Sequence, residues 1–118
     1  MEKEFIPYEQ ALELKELGFN EPCFGLYAPP SKTVFLHHYG LLSAKEQILA
    51  PLYQQAFRWF REKYNLKGYV EPVEYLDGTP DTYHWSIFNN CNSGNDQLTH
   101  EEAELACLVK LIDIIENK

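Results

Sequence analysis

Apolar residues recur along the chain with two periods, and each change of period marks a new element. Over residues 7–17, Tyr8, Ala11, Leu12 and Leu14 recur at helical spacing among acidic residues, with Pro7 at the start and Gly18 at the stop. Phe19 follows that glycine, which predicts a helix closed by a Schellman turn folding Phe19 back toward Leu14. Residues 23–28 and 33–39 are short runs rich in Phe, Tyr, Leu and Val on either side of Pro29-Pro30-Ser31-Lys32, a sequence that cannot continue a ladder. They predict two antiparallel strands. A helical turn is expected over residues 43–47. A longer helix is predicted over residues 51–64, where Tyr53, Ala56, Phe57, Phe60 and Tyr64 form one apolar and aromatic stripe. Leu52 and Trp59 widen that stripe, and Asn65 is suited to a left-handed end position.

Residues 69–76 and 82–88 flank Asp77-Gly78-Thr79-Pro80-Asp81 and predict a hairpin. Tyr83, Trp85 and Ile87 alternate with His84 and Ser86, so the first three are expected to face the core and the others a partly solvated side. Pro72 lacks a donor and favours an edge strand or a bulge. Residues 89–97 are polar, with four Asn, and are expected to form a loop. Thr99-His100-Glu101-Glu102 then opens the last helix as a capping box, with Leu98 and Ala103 placed for a hydrophobic staple. Its expected stripe is Leu105, Leu108, Ile112 and Ile115, with Ala106, Val109, Leu111 and Ile114 beside it. So wide an arc implies burial on two sides or a partner. The order α-β-β-α-β-β-α predicts an α+β fold: three helices on a small antiparallel sheet of about four strands, in a single compact domain over residues 1–118.

Composition agrees with that size of core. Of 118 residues, 45% are apolar and 14% aromatic, enough to bury a core without metals or disulfides. A net charge of -8 opposes generic attraction to nucleic acid or an anionic membrane, so neither is expected as a partner. The charge is uneven. Residues 1–44 carry three basic and six acidic side chains, residues 45–67 five and two, and residues 68–118 two and ten. No window approaches the roughly 18 consecutive apolar residues of a membrane span, and the first residues lack the basic and apolar pattern of a leader. Cys23, Cys91 and Cys107 are odd in number and widely spaced. Neither a disulfide framework nor a zinc knuckle follows from that spacing, and a reducing cytoplasm is the expected compartment.

Candidate chemistry is sparse. Adjacent His37 and His38 on a strand would point to opposite faces, so they do not predict a shared metal site. Cys91 lies in a polar stretch between His84 and His100, which permits a thiol enzyme with those histidines but does not define one. Cys107 and Cys23 read as small core residues. Phosphate loop, dinucleotide turn, nucleophile elbow and zinc-helix signatures are all missing. A calcium loop around Gly94 fails because Cys91 and His100 would fall where oxygen ligands are needed. No catalytic residue, metal or cofactor is therefore expected. The one concentration of positive charge is Arg58, Arg61 and Lys63 with Trp59 among them, a set able to hold a small anionic metabolite by guanidinium forks beside an aromatic plane. Against this stands the plain polar face that a helix burying Phe57 and Phe60 must show. A double-stranded-RNA module is opposed by Glu101, Glu102 and Glu104 where phosphates would meet the last helix.

The stretches APLYQQAFRWFREKY at residues 50–64, EEAELACL at 101–108 and EPCFG at 21–25 resemble a family of uncharacterised small proteins encoded by bacteriophages and prophages of Bacteroidota. The resemblance implies a viral or prophage accessory protein in the cytoplasm of a bacterial host, and it carries no catalytic residues. The expected function is non-enzymatic: binding a host protein, through the flank of the last helix or the edge at Pro72, or binding a small anionic metabolite. A small Cys/His enzyme and a virion or structural interaction protein are the alternatives, and homo-oligomerisation is open.

Overall fold

The computed structural model describes residues 2–27, 32–36, 48–88 and 92–117. Among these residues three α-helices alternate with antiparallel strands in the expected α+β order, and two further strands join them. The chain resolves into two compact units, Met1–Gln55 and Ala56–Lys118.

In the first unit, α1 (Tyr8–Glu16) has Pro7 at its N-cap, where the proline carbonyl takes the Ala11 N–H at 2.9 Å. Its far end forms the Schellman turn expected from Gly18 and Phe19. Gly18 takes φ 101°, a value only glycine reaches without strain; its N–H reaches the Lys15 carbonyl, and the Phe19 N–H reaches Leu14 at 2.9 Å. Leu14 and Phe19 are both buried. The strands β1 (Gly25–Tyr27) and β2 (Phe35–Leu36) pair antiparallel as expected, and a third, β3 (Ile48–Ala50), pairs on the other side of β1. The expected turn at Pro29-Pro30-Ser31 and helical turn at residues 43–47 lie outside the described residues. The chain start is tied to this sheet: the Ile6 N–H donates to Pro51, Phe5 bridges Leu52, and the buried Tyr27 hydroxyl donates to the Ile6 carbonyl at 2.8 Å. That bond satisfies a phenol that would otherwise lose its water on burial.

The helix α2 (Tyr53–Tyr64) begins in the first unit and continues into the second. Tyr53, Ala56, Phe57 and Phe60 of its expected stripe are buried, as is Trp59. Asn65 takes φ 57° and its N–H returns to the Arg61 carbonyl at 3.1 Å, the left-handed ending the sequence predicts.

In the second unit, β4 (Lys67–Val73) and β5 (Thr82–Phe88) form the expected hairpin, with Lys67 opposite Phe88 and Val73 opposite Thr82. Asp77 Oδ1 accepts the Thr79 N–H at 3.0 Å in the turn. Bonds from Thr79, its side chain first, hold the Asp77 carboxyl below the usual range. The expected loop at residues 89–97 is in part a strand instead. Asn92–Gln97 forms β6 along β5, giving the order β4-β5-β6 with β4 at an edge, where Pro72 is tolerated. Local propensity is overruled here by pairing: β5 offers a whole edge, and Gly94 lies opposite Trp85, whose indole leaves no room for a Cβ.

One face of this sheet is covered by α3 (His100–Glu116). Thr99 caps it by accepting the Glu102 N–H at 3.1 Å; the return bond runs from the Thr99 hydroxyl to Glu102 Oε1 at 3.2 Å rather than from the Thr99 N–H. Leu98 is 69% exposed, so it does not close a staple over Ala103. The buried stripe is Ala103, Cys107, Leu108, Leu111 and Ile112, rotated from the expected one; Leu105 and Ile115 are half-buried and Val109 is exposed. The sheet imposes the rotation. A Cβ on Gly68 would lie 2.8 Å from Cys107 Sγ and 3.1 Å from Leu111 Cδ1, so β4 rests directly on those two side chains.

Candidate interaction surface

The basic residues of α2 do not converge on one site. At about 100° per residue, Arg58 and Arg61 lie about 60° apart around the helix, whereas Lys63 is about 140° from Arg58. Arg58 Nε reaches Glu62 Oε1 at 3.5 Å on an exposed face. Lys63 turns the other way, its ammonium 5.0 Å from the centre of the Trp59 ring and 5.6 Å from that of Tyr64. Trp59 itself is 6% exposed and packs edge-on against Phe60 and Tyr64, so its plane is part of the core rather than a platform for a ligand. The structure thus brings Lys63 to Trp59 and leaves Arg58 and Arg61 on another face.

The candidate thiol and imidazole groups are likewise separated. Tyr83 stacks edge-on with His100 at 5.6 Å, on the side covered by α3; His84, the next residue along β5, points to the opposite side of the sheet. His100 Nδ1 lies 3.2 Å from Glu104 Oε1, one turn along the helix. Cys107 sits beneath the sheet with its thiol aimed at the Ser86 carbonyl, and burial pushes it up to about 12, with Glu104 adding to the shift. Cys23 is raised to about 12 for the same reason, burial first and Glu21 second. Both thiols stay protonated at neutral pH and are poor nucleophiles. Cys91, His37 and His38 lie outside the described residues. Among the described residues, no three His, Cys, Asp or Glu side chains gather as metal ligands would, and no helix is long and apolar enough to cross a membrane.

Phe24, Leu36, Leu98 and Val109 are exposed singly elsewhere, but exposed aromatics stand on adjacent strands on the other face of the sheet. Alternation along β4 and β5 sends Gly68, Val70, Trp85 and Ile87 toward α3, and Lys67, Tyr69, Glu71, His84, Ser86 and Phe88 away from it. Tyr69 lies opposite Ser86, which pairs in turn with Ser93 of β6, so beside Tyr69 this row carries only small side chains. Phe88 is 57% exposed and Tyr69 43%, and Lys67 lies over the Phe88 ring at 5.7 Å. Beyond the strands, the hairpin tip exposes Tyr75 and Leu76. Sequence reasoning had marked the Pro72 edge and a partly solvated side of the hairpin but not these aromatics. The signal was present in the register, since an inward Ile87 forces Phe88 outward. Comparison with protein-family models, with curated proteins and with solved structures finds no match to this chain.

Proposed function

We propose that this protein is a non-enzymatic binding module that engages a host protein through the open face and β4 edge of its second sheet. One observation carries the reading: large apolar side chains are exposed together on one face of a sheet whose other face packs against α3. Clustered exposed apolar area of this kind marks association surfaces more often than isolated surface residues do. The resemblance of residues 50–64, 101–108 and 21–25 to small phage and prophage proteins supports a role in the cytoplasm of a bacterial host. The anionic-metabolite reading is the weaker one, because the side chains it needs, Arg58, Arg61, Lys63 and Trp59, face different ways.

The test is capture from bacterial lysate with the wild-type chain and with a Tyr69→Ser/Phe88→Ser variant, followed by native mass spectrometry of both preparations. A defined protein partner retained by the first and lost by the second, at an unchanged thermal midpoint, is the expected result. A small-molecule mass increment that survives in that variant and disappears with Arg61→Glu would overturn it in favour of the metabolite.

A further inference from the structure

Resting on that binding role, the structure assigns a chemistry to the partner: we infer that β4 accepts a basic, extended peptide segment as a fourth strand of the β4-β5-β6 sheet. Among the described residues β4 has a strand neighbour on one side only. Pro72 stands opposite Tyr83 and has no N–H to give to β5, so its nitrogen belongs to the outward set of the antiparallel ladder. The same alternation sends the N–H and C=O groups of Val70 and Gly68 to the outer edge. These are the groups that an added strand pairs with. Natural sheets protect such an edge with lysines, prolines or inward charges. Here Lys67 and Pro72 stand toward the two ends of β4, and the stretch between them, Gly68 to Glu71, carries neither lysine nor proline.

Charge selects the occupant. From Gly68 to Val109 the chain has eight Asp and Glu and no Lys or Arg. Four of them, Glu71, Glu74, Asp77 and Asp81, are exposed along β4 and the hairpin arm that extends it. An acidic or neutral strand approaching this edge gains no attraction or is repelled, whereas a segment alternating Lys or Arg with β-branched residues sets its cations beside Glu71 and the Tyr69 ring on the open face while its apolar side chains lie beside Val70 on the other. Exposed Tyr75 and Leu76 at the arm's tip extend the apolar contact beyond the strand. Backbone pairing supplies the affinity, and the acidic arm supplies direction and selectivity.

Three synthetic nine-residue peptides test this: one alternating Lys and Val, one with Glu replacing Lys, and the Lys/Val peptide N-methylated at every second amide. Binding is read by fluorescence anisotropy at low and physiological salt, and amide hydrogen exchange is followed at Gly68 and Val70. The expected outcome is that the Lys/Val peptide binds about tenfold or more tighter than the Glu/Val peptide, that added salt weakens it, and that N-methylation abolishes it. Exchange at Val70 slows only with the first peptide. Equal binding of the N-methylated peptide, or unchanged exchange at Val70, overturns strand addition. A Glu71→Lys/Glu74→Lys variant, both positions being exposed, should keep the wild-type thermal midpoint and lose the preference for Lys over Glu; a retained preference also overturns the inference. If no peptide binds while lysate capture still depends on Tyr69 and Phe88, this inference fails and the binding role stands. If capture is lost as well, both fail.

Discussion

Two lysines of the second unit lie over aromatic rings, Lys63 over Trp59 at 5.0 Å and Lys67 over Phe88 at 5.7 Å, yet the rings beneath them have opposite surroundings. Trp59 is sealed against Phe60 and Tyr64, and Lys63 lays its charged end over a ring already in the core. Phe88 stands on an open sheet face with more than half its surface in water. A cation over a ring therefore does not define a ligand site; the burial of the ring decides whether the contact closes a core or marks a surface awaiting one. That distinction moves attention from α2 to the outer side of β4 and β5.

The largest effect expected from breaking this contrast is Trp59→Ala, which removes a buried indole and should cost about 3–5 kcal/mol of stability in urea denaturation. A loss under about 1 kcal/mol would mean that Trp59 is not the core residue described here. Next comes Gly68→Ala, at about 1–3 kcal/mol, because the new methyl meets Cys107 Sγ beneath β4. In a Cys107→Ala background the same change should cost clearly less, a coupling read by a double-mutant cycle.

Cys107 gives a pH signature of smaller size. Its folded thiol is raised to about 12 by burial, while an unfolded thiol ionises near ~8.5. Below the lower value both states are protonated and the contribution is flat; above it the unfolded chain releases a proton that the folded chain holds, so stability falls as pH rises. Wild type should lose roughly 1 kcal/mol more than Cys107→Ala between pH 8 and 9.5, measured by urea midpoint at each pH. Parallel curves would show that the thiol is not held protonated by the fold. Lys63→Ala should cost about 0.5–1 kcal/mol through lost contact with Trp59. Smallest of all, Phe88→Ser should change stability by no more than about 0.5 kcal/mol while removing partner binding.

What the sequence revealed follows the range of the forces involved. Gly18 with Phe19, Asn65, Thr99 with Glu102, and the Asp77-Gly78 turn are local signals whose physics is complete within a few residues, and each appears where the spacing placed it. The strand Ile48–Ala50 was not legible, because three apolar residues before Pro51 have no period of their own and become a strand only by pairing with β1, over twenty residues away. Asn92–Gln97 has the composition of a loop and is drawn into the sheet by the edge of β5 and the indole over Gly94. The rotation of the α3 stripe from Leu105 toward Cys107 has the same non-local origin, since only the sheet shows where Gly68 allows close approach. The candidate surface was half legible. Pro72 announced an edge strand, but the exposure of Tyr69 and Phe88 depends on which face α3 covers.

The central claim is that the open sheet face, rather than the α2 cations, meets the partner. Site-specific photocrosslinking in bacterial cytoplasm tests it most directly, with a benzoyl-phenylalanine placed in turn at Tyr69, Phe88 and Arg61. A single protein adduct from positions 69 and 88, absent from position 61, is the expected result. An adduct from position 61 with none from 69 or 88 would contradict the account.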